Sequence, residues 1–193
     1  LIANGVKKDE AIFQCIRKAI VASKKIRFEG NGYSHEWIEE AAKRGLPNIP
    51  KAPDAFKTFL LDSSVQLLKN NNVLSERELH ARYEIRNEIF IKKVQIEARV
   101  LSDLAINHIV PTAIAYQNLL IENVRGVKEI FPEPSECMSL AAPQIQSIRK
   151  ISEHIKAIRE QVKEMVEKRK EINQIASVPQ RADMYSNGIK PYI

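Results

Sequence analysis

At 193 residues, 44% hydrophobic and 28% charged, the chain has enough apolar content for one well-formed core and too much for a disordered tail. No window reads as the roughly 18 to 20 uncharged apolar residues of a membrane helix, and the opening Leu-Ile-Ala-Asn-Gly has no basic segment leading into an apolar stretch, so neither membrane nor export is expected. The formal net charge is +6, yet bases alternate with acids, as in Glu167-Lys168-Arg169-Lys170-Glu171, the pattern of a solvated helix face and not of a nucleic-acid-binding stripe.

Ile12, Phe13, Ile16, Ala19 and Ile20 recur at three-four spacing and predict an amphipathic helix over 8–24. After the Gly30-Asn31-Gly32 break, Ser34 is placed to N-cap a short helix through Ala42, with Gly45 beyond its end. Residues 48–72 read as a loop with short helices over 54–60 and 63–69, the second closed by the run Asn70-Asn71-Asn72. Residues 1–74 thus form a cap of short helices and loops.

Ser75-Glu76-Arg77-Glu78 is a capping box, in which the Ser75 hydroxyl and the Glu78 carboxylate each satisfy a free backbone N–H. No glycine follows until Gly126, so a long helix is predicted over 75–127, interrupted only by Pro111, which should kink it near Asn107. Residues 126–143 contain three prolines and read as a connector, bounded at 128–143 by the helix before it. From Gln144, the residues Ile148, Ile151, Ile155, Ile158, Val162, Met165 and Ile172 form a heptad stripe that predicts a second long helix over 144–176. The expected fold class is therefore all-α: a long kinked helix packed antiparallel on a second, coiled-coil-like, in one domain over 1–193, with 177–193 as the start of a terminal segment. About 60 to 70% helix is expected. Leu104 and Ile155 are expected in the shared seam, each worth about 2 to 4 kcal/mol on truncation to Ala, whereas Lys168→Ala should cost little. Pro111→Ala is expected to destabilise a helix whose neighbours fit the bend.

Catalytic and metal chemistry find little footing. His35, His80, His108 and His154 lack the Glu-x-x-His spacing of a di-iron carboxylate bundle, and the i,i+4 pairs Glu76/His80 and His80/Glu84 read as surface hydrogen bonds or ion pairs. Cys15 and Cys137 lie outside any C-x-x-C pattern and read as free thiols in a reducing cytoplasm, Cys15 as a buried one beside Phe13 and Ile16. Gly30-Asn31-Gly32 has neither phosphate-cradling glycine spacing and reads as a turn. Trp37, Tyr33, Phe56 and Phe59 read as a satellite core under the loops. No catalytic, cofactor-binding or metal residue is assigned.

The stretch from Phe28 through Asn48, FEGNGYSHEWIEEAAKRGLPN, resembles a segment found downstream of the barrel in type III glutamine synthetases. The order and spacing of Val73 to Ile85 (VLSERELHARYEI), Ile109-Val110-Pro111 with Ala113, Ile151-Ser152-Glu153-His154 and Lys190-Pro191-Tyr192 are similar to that family as well. What the resemblance implies is a parent enzyme that joins ammonia to glutamate with ATP through a γ-glutamyl phosphate, using Mg or Mn held by glutamates on a β-barrel. None of the barrel's functional residues has a counterpart here, so the resemblance implies a non-catalytic helical piece with no cofactor of its own and no glutamine synthetase activity in isolation. Its implied partners are the barrel of its own parent chain and neighbouring subunits of a dodecamer of two stacked rings, in the cytoplasm, with no nucleic acid and no membrane. The first residue is not Met and the chain stops at Lys-Pro-Tyr-Ile, so truncation at both ends is expected. A free-standing helical adaptor that binds a partner helix is the alternative.

Overall fold

The structure, a computed structural model, describes residues 4–193. It is all-α: helix makes up 82% of the chain and the described residues contain no strand. The helices are α1 (Lys8–Ala22), α2 (His35–Lys43), α3 (Ala52–Lys57), α4 (Asp62–Asn70), α5 (Glu76–Asp103), α6 (Val110–Ile130), α7 (Pro134–Ile172) and α8 (Val178–Met184). Their contacts divide the chain into a unit ending at Pro50 and a unit Lys51–Ile193, where the sequence suggested one domain over 1–193. Burial in the first unit is local, with Ala11 the buried residue of α1 and Ala41 that of α2.

In the first unit, α2 ends in a Schellman motif. Gly45 has φ +66°, its N–H donates to the Ala42 carbonyl at 3.0 Å, and the Leu46 N–H donates to the Ala41 carbonyl at 2.8 Å, a turn that a side chain at position 45 would strain. The start of α2 departs from expectation. Ser34 occupies the N-cap position but makes no capping bond; its hydroxyl donates to the Asn31 carbonyl at 2.8 Å, because the Gly30-Asn31-Gly32 turn brings that acceptor closer. Trp37 packs on Phe28 with ring centroids 4.9 Å apart. Tyr33 is fully exposed, and Phe56 and Phe59 belong to the other unit, so the four aromatics do not form one satellite core.

The second unit is organised by α5, α6 and α7. α4 closes with the same motif as α2: Asn72 takes φ 54° while the Asn72 and Val73 N–H groups donate to the Lys69 and Leu68 carbonyls, a left-handed position asparagine tolerates. The capping box then starts α5, with the Ser75 N–H donating to Glu78 Oε2 at 2.8 Å and the Glu78 N–H to Ser75 Oγ at 3.3 Å. The Ser75 N–H and then the Ser75 hydroxyl, which also donates to Glu78 Oε2 at 2.7 Å, hold the Glu78 carboxyl below the usual carboxylate range. The proline step is absorbed by a π-turn over Leu104–Ile109. Pro111 cannot donate and would crowd the preceding turn, so the helix admits one extra residue: the Val110 N–H reaches five residues back to the Ala105 carbonyl, and the Thr112 hydroxyl donates to the His108 carbonyl at 2.8 Å.

α7 runs antiparallel to α6. Gln117 Nε2 donates to the Ile148 carbonyl at 2.9 Å and to Ser152 Oγ at 2.6 Å, and Gln144 Nε2 donates to Asn123 Oδ1 at 3.1 Å, so position numbers fall on one helix as they rise on the other. The connector is far shorter than 128–143. α6 continues through Gly126 to Ile130, and α7 begins at Pro134, where the missing N–H of proline is harmless. Pro143 lies inside α7. The helix persists because Cys137 and Ala141 are buried and extend the heptad phase of Gln144, Ile148, Ile151 and Ile155 backwards through the proline.

The main core lies where α7 ends and the chain folds back. Ile91, Val94 and Ala98 of α5 meet Met165 and Ile172 of α7 and Ala182, Tyr185 and Ile189 from the C-terminal segment. Residues 177–193 are thus an integral part of this core: α8, a π-turn over Tyr185–Ile189 and a final 3-10 turn. Two seam expectations change with it. Leu104 is 45% exposed, since the buried phase of Val94 and Ala98 continues onto its neighbour Ala105. Lys168 is not on a free face: its Nζ donates to the Tyr192 hydroxyl at 2.6 Å, contacts Glu164 at 2.8 Å and lies 5.0 Å from the Tyr192 ring centre. Its ammonium pKa is raised, chiefly by the Glu164 contact and then by Tyr192. Leu104→Ala is therefore expected to cost under about 1 kcal/mol and Met165→Ala about 2 to 4 kcal/mol. Urea midpoints compare them directly, and a Leu104→Ala loss equal to that of Met165→Ala would contradict this register.

Candidate interaction surface

A helix that packs on one side only needs one apolar stripe. α5 carries two. Leu79, Tyr83, Asn87, Ile91, Val94 and Ala98 are its buried face. Ile85, Ile89, Ile96 and Val100 are exposed, and at 3.6 residues per turn these four fall within an arc of about 60°, roughly opposite the buried face. Arg82 and Arg86 line this outer face beside Ile85 and Ile89, and Arg86 also stacks over the Phe59 ring at 5.3 Å. Further exposed apolar residues are Ile109 at the end of the π-turn and Ile114, Tyr116 and Leu119 on α6. The first unit has a surface of the same kind: Ile12, Phe13, Ile16 and Ile20 of α1 are all exposed. Exposed aliphatic surface of this extent is characteristic of contact sites for protein, membrane or ligand.

This double-sided character also corrects the reading of membrane windows. The helical run Glu76–Ile130 contains an 18-residue window with mean hydropathy 1.2, of which 11% is buried, so by length and composition one stretch does reach the range of a membrane span. The polar side chains there are mostly uncharged, and they are used by the fold: Gln117 of this run bonds to α7.

The chemistry-bearing residues singled out in the sequence do not converge. His108 is exposed, 3.9 Å from Asp103 Oδ2, and His35, His80 and His154 are exposed on α2, α5 and α7. The described residues contain no group of three His, Cys, Asp or Glu side chains able to hold a metal. Both cysteines are free. Cys137 is buried, whereas Cys15 is exposed, contrary to expectation, because Phe13 and Ile16 beside it belong to the uncovered face of α1.

A surface without a catalytic cluster leaves the family to be decided by comparison. The model of the glutamine synthetase C-terminal domain family matches residues 11–128. The chain belongs to that family. It is similar to a glutamine synthetase of Bacteroides fragilis (strain YCH46), 44% identical over 193 residues, covering 100% of this chain and 26% of that protein. It is also similar to a glutamine synthetase of Butyrivibrio fibrisolvens, 30% identical over 149 residues, and to a type-3 glutamine synthetase of Dictyostelium discoideum, 30% identical over 152 residues. These alignments cover 77% and 76% of this chain and 21% of each relative. The chain thus spans about a quarter or less of the length of these glutamine synthetases. The resemblance carried by residues 28–48 and 73–85 lies inside the matched C-terminal domain.

The feature that sequence reading missed is the outer stripe of α5. Ile85, Ile89, Ile96 and Val100 are apolar in the sequence, but the capping box and the absence of glycine predict the helix without saying which of its apolar phases is buried. Testing two phases against the same segment separates them.

Proposed function

We propose that this chain is the C-terminal helical domain of a type III glutamine synthetase and that it serves assembly and not chemistry. The observation that carries the reading is the second apolar stripe of α5, which its own core leaves exposed. In the parent enzyme this stripe lies against the catalytic barrel or a neighbouring subunit of the cytoplasmic dodecamer, while ATP, Mg or Mn, ammonia and glutamate are handled by the barrel. The 26% coverage of the Bacteroides fragilis relative supports a domain of a larger enzyme, and the dispersal of the histidines and cysteines supports a structural role.

The test places Ile89→Lys and Ile96→Lys together in the full-length parent enzyme. We expect ligase activity to fall at least about tenfold, the equivalent of about 1.4 kcal/mol, with the helical spectrum of the isolated chain unchanged. A lower oligomer mass by light scattering assigns the stripe to a subunit contact; an unchanged mass with a lowered melting temperature assigns it to the barrel of the same chain. Unaltered mass, activity and melting temperature would overturn the proposal, as would ammonia- and glutamate-dependent phosphate release by the isolated chain.

A further inference from the structure

On the flank of α5, between its buried face and its outer stripe, lies a crevice of about 210 Å³ lined by Glu88, Ile91, Lys92, Gln95, Asn173 and Arg181. Three elements build it: two turns of α5, the residue that caps the end of α7, and α8. Its lining is polar apart from Ile91, which belongs to the core cluster and forms part of the floor.

The side chains there are unevenly satisfied. Arg181 Nε is shielded from solvent and has no hydrogen-bond partner, although a buried donor without an acceptor is costly and native structures rarely tolerate one. Neither Arg181 nor Lys92 forms an ion pair among the described residues, and Glu88, the one carboxylate in the lining, pairs with neither. Asn173 Oδ1 is occupied by the Tyr185 hydroxyl at 2.8 Å, which leaves its NH₂ group to donate. Arg169, Arg181 and Arg99 each act on that hydroxyl as nearby positive charges.

We propose that this crevice binds a small oxyanion, a carboxylate or phosphate group, held by Arg181 with Lys92 and the Asn173 amide. The guanidinium fork matches two oxygens of such a group and Lys92 supplies a point charge. Two cations against one carboxylate disfavour a metal cation, and the polar lining disfavours an apolar ligand. With about 30 Å³ per water in the liquid, the volume holds a group of a few heavy atoms. Glu88 opposes the anion and sets an upper limit on affinity. The site is independent of the assembly surface, since its residues lie outside the stripe of Ile85, Ile89, Ile96 and Val100.

The experiment is a titration of the ¹⁵N-labelled chain with sodium phosphate and, separately, sodium acetate, against sodium chloride at equal ionic strength, read at the Arg181 Nε–Hε signal and the Asn173 side-chain amide. We expect a saturable shift with at least one oxyanion and none with chloride. Saturation by phosphate alone identifies a phosphate-type site, by acetate alone a carboxylate-type site, and by both a site for the shared geometry. Lys92→Gln should weaken binding about tenfold, Glu88→Gln should tighten it a few-fold, and Arg181→Lys, read at Asn173, should abolish it. Lys92 is exposed, so its variant is informative even if Arg181→Lys fails to fold. Shifts that do not saturate, that chloride reproduces, or that are the same in wild type, Lys92→Gln and Glu88→Gln would overturn the proposal.

Discussion

Tyr185→Ala is expected to lower the stability of the unit Lys51–Ile193 by about 3 to 5 kcal/mol, the range for emptying a buried aromatic site. Tyr185 is fully buried and joins α5, α7 and α8 in the main core, so its loss opens a cavity where three elements meet. Tyr185→Phe keeps the ring and removes the hydroxyl bond to Asn173, for an expected loss of about 0.5 to 1.5 kcal/mol. The pair also has a pH signature. Burial pushes the Tyr185 hydroxyl above its ordinary pKa, outweighing the pull of Arg169, Arg181 and Arg99 in the other direction. A raised folded-state value means that the stability tied to the neutral hydroxyl is fully present below the unfolded value of about 10 and is lost as pH rises through the folded one. The advantage of wild type over Tyr185→Phe should therefore be constant up to about pH 10 and shrink above it. Urea melts of the three proteins at pH 7 and above pH 10 measure both effects, and a Tyr185→Ala loss no larger than that of Tyr185→Phe would place the ring outside the core.

Much of this architecture is legible in the residues because its signals are local. The capping box at Ser75, the glycine at position 45 and the asparagines closing α4 act through bonds to backbone groups within a few positions, and all stand where their chemistry requires. Ser34 is the exception. Its side chain had two acceptable roles, and only the turn geometry around Asn31 decides between them. The heptad stripe of α7 likewise follows from its spacing alone.

What was less legible depends on partners distant in sequence. Proline reads locally as a stop, but Pro143 sits inside α7 because Cys137 and Ala141 continue a seam that α6 covers, and such tertiary burial outweighs a local penalty of about 3 kcal/mol. Leu104 misses the seam because the buried phase of α5, Ile91, Val94 and Ala98, continues through Ala105 and leaves Leu104 about 100° away from it. In the C-terminal segment Val178, Ala182, Tyr185 and Ile189 recur at four-three spacing, but the importance of that stripe appears only when Tyr185 and Ile189 are seen against Ile91 and Val94. The exposed stripe of α5 is the deepest case. Periodicity shows that apolar residues line a helix, but which stripe its own chain covers is a property of the whole fold.

Ala141→Asp is the sharpest test of the hairpin as the structure draws it. Ala141 is fully buried two turns into α7, in phase with Cys137, Gln144 and Ile148. An aspartate there must be desolvated, so a loss of at least about 3 kcal/mol is expected. The helix dipole offers little relief, because its favourable field for an acid is confined to the first turn. Ser139→Asp, two residues earlier on the exposed side of the same helix, should stay within about 0.5 kcal/mol of wild type. If residues 128–143 were an irregular connector, the two substitutions would behave alike. Urea midpoints for the pair distinguish the cases: a large loss confined to position 141 requires that α7 begin before Pro143 and pack on α6 from its second turn, whereas equal midpoints would remove the N-terminal part of that helix from the seam.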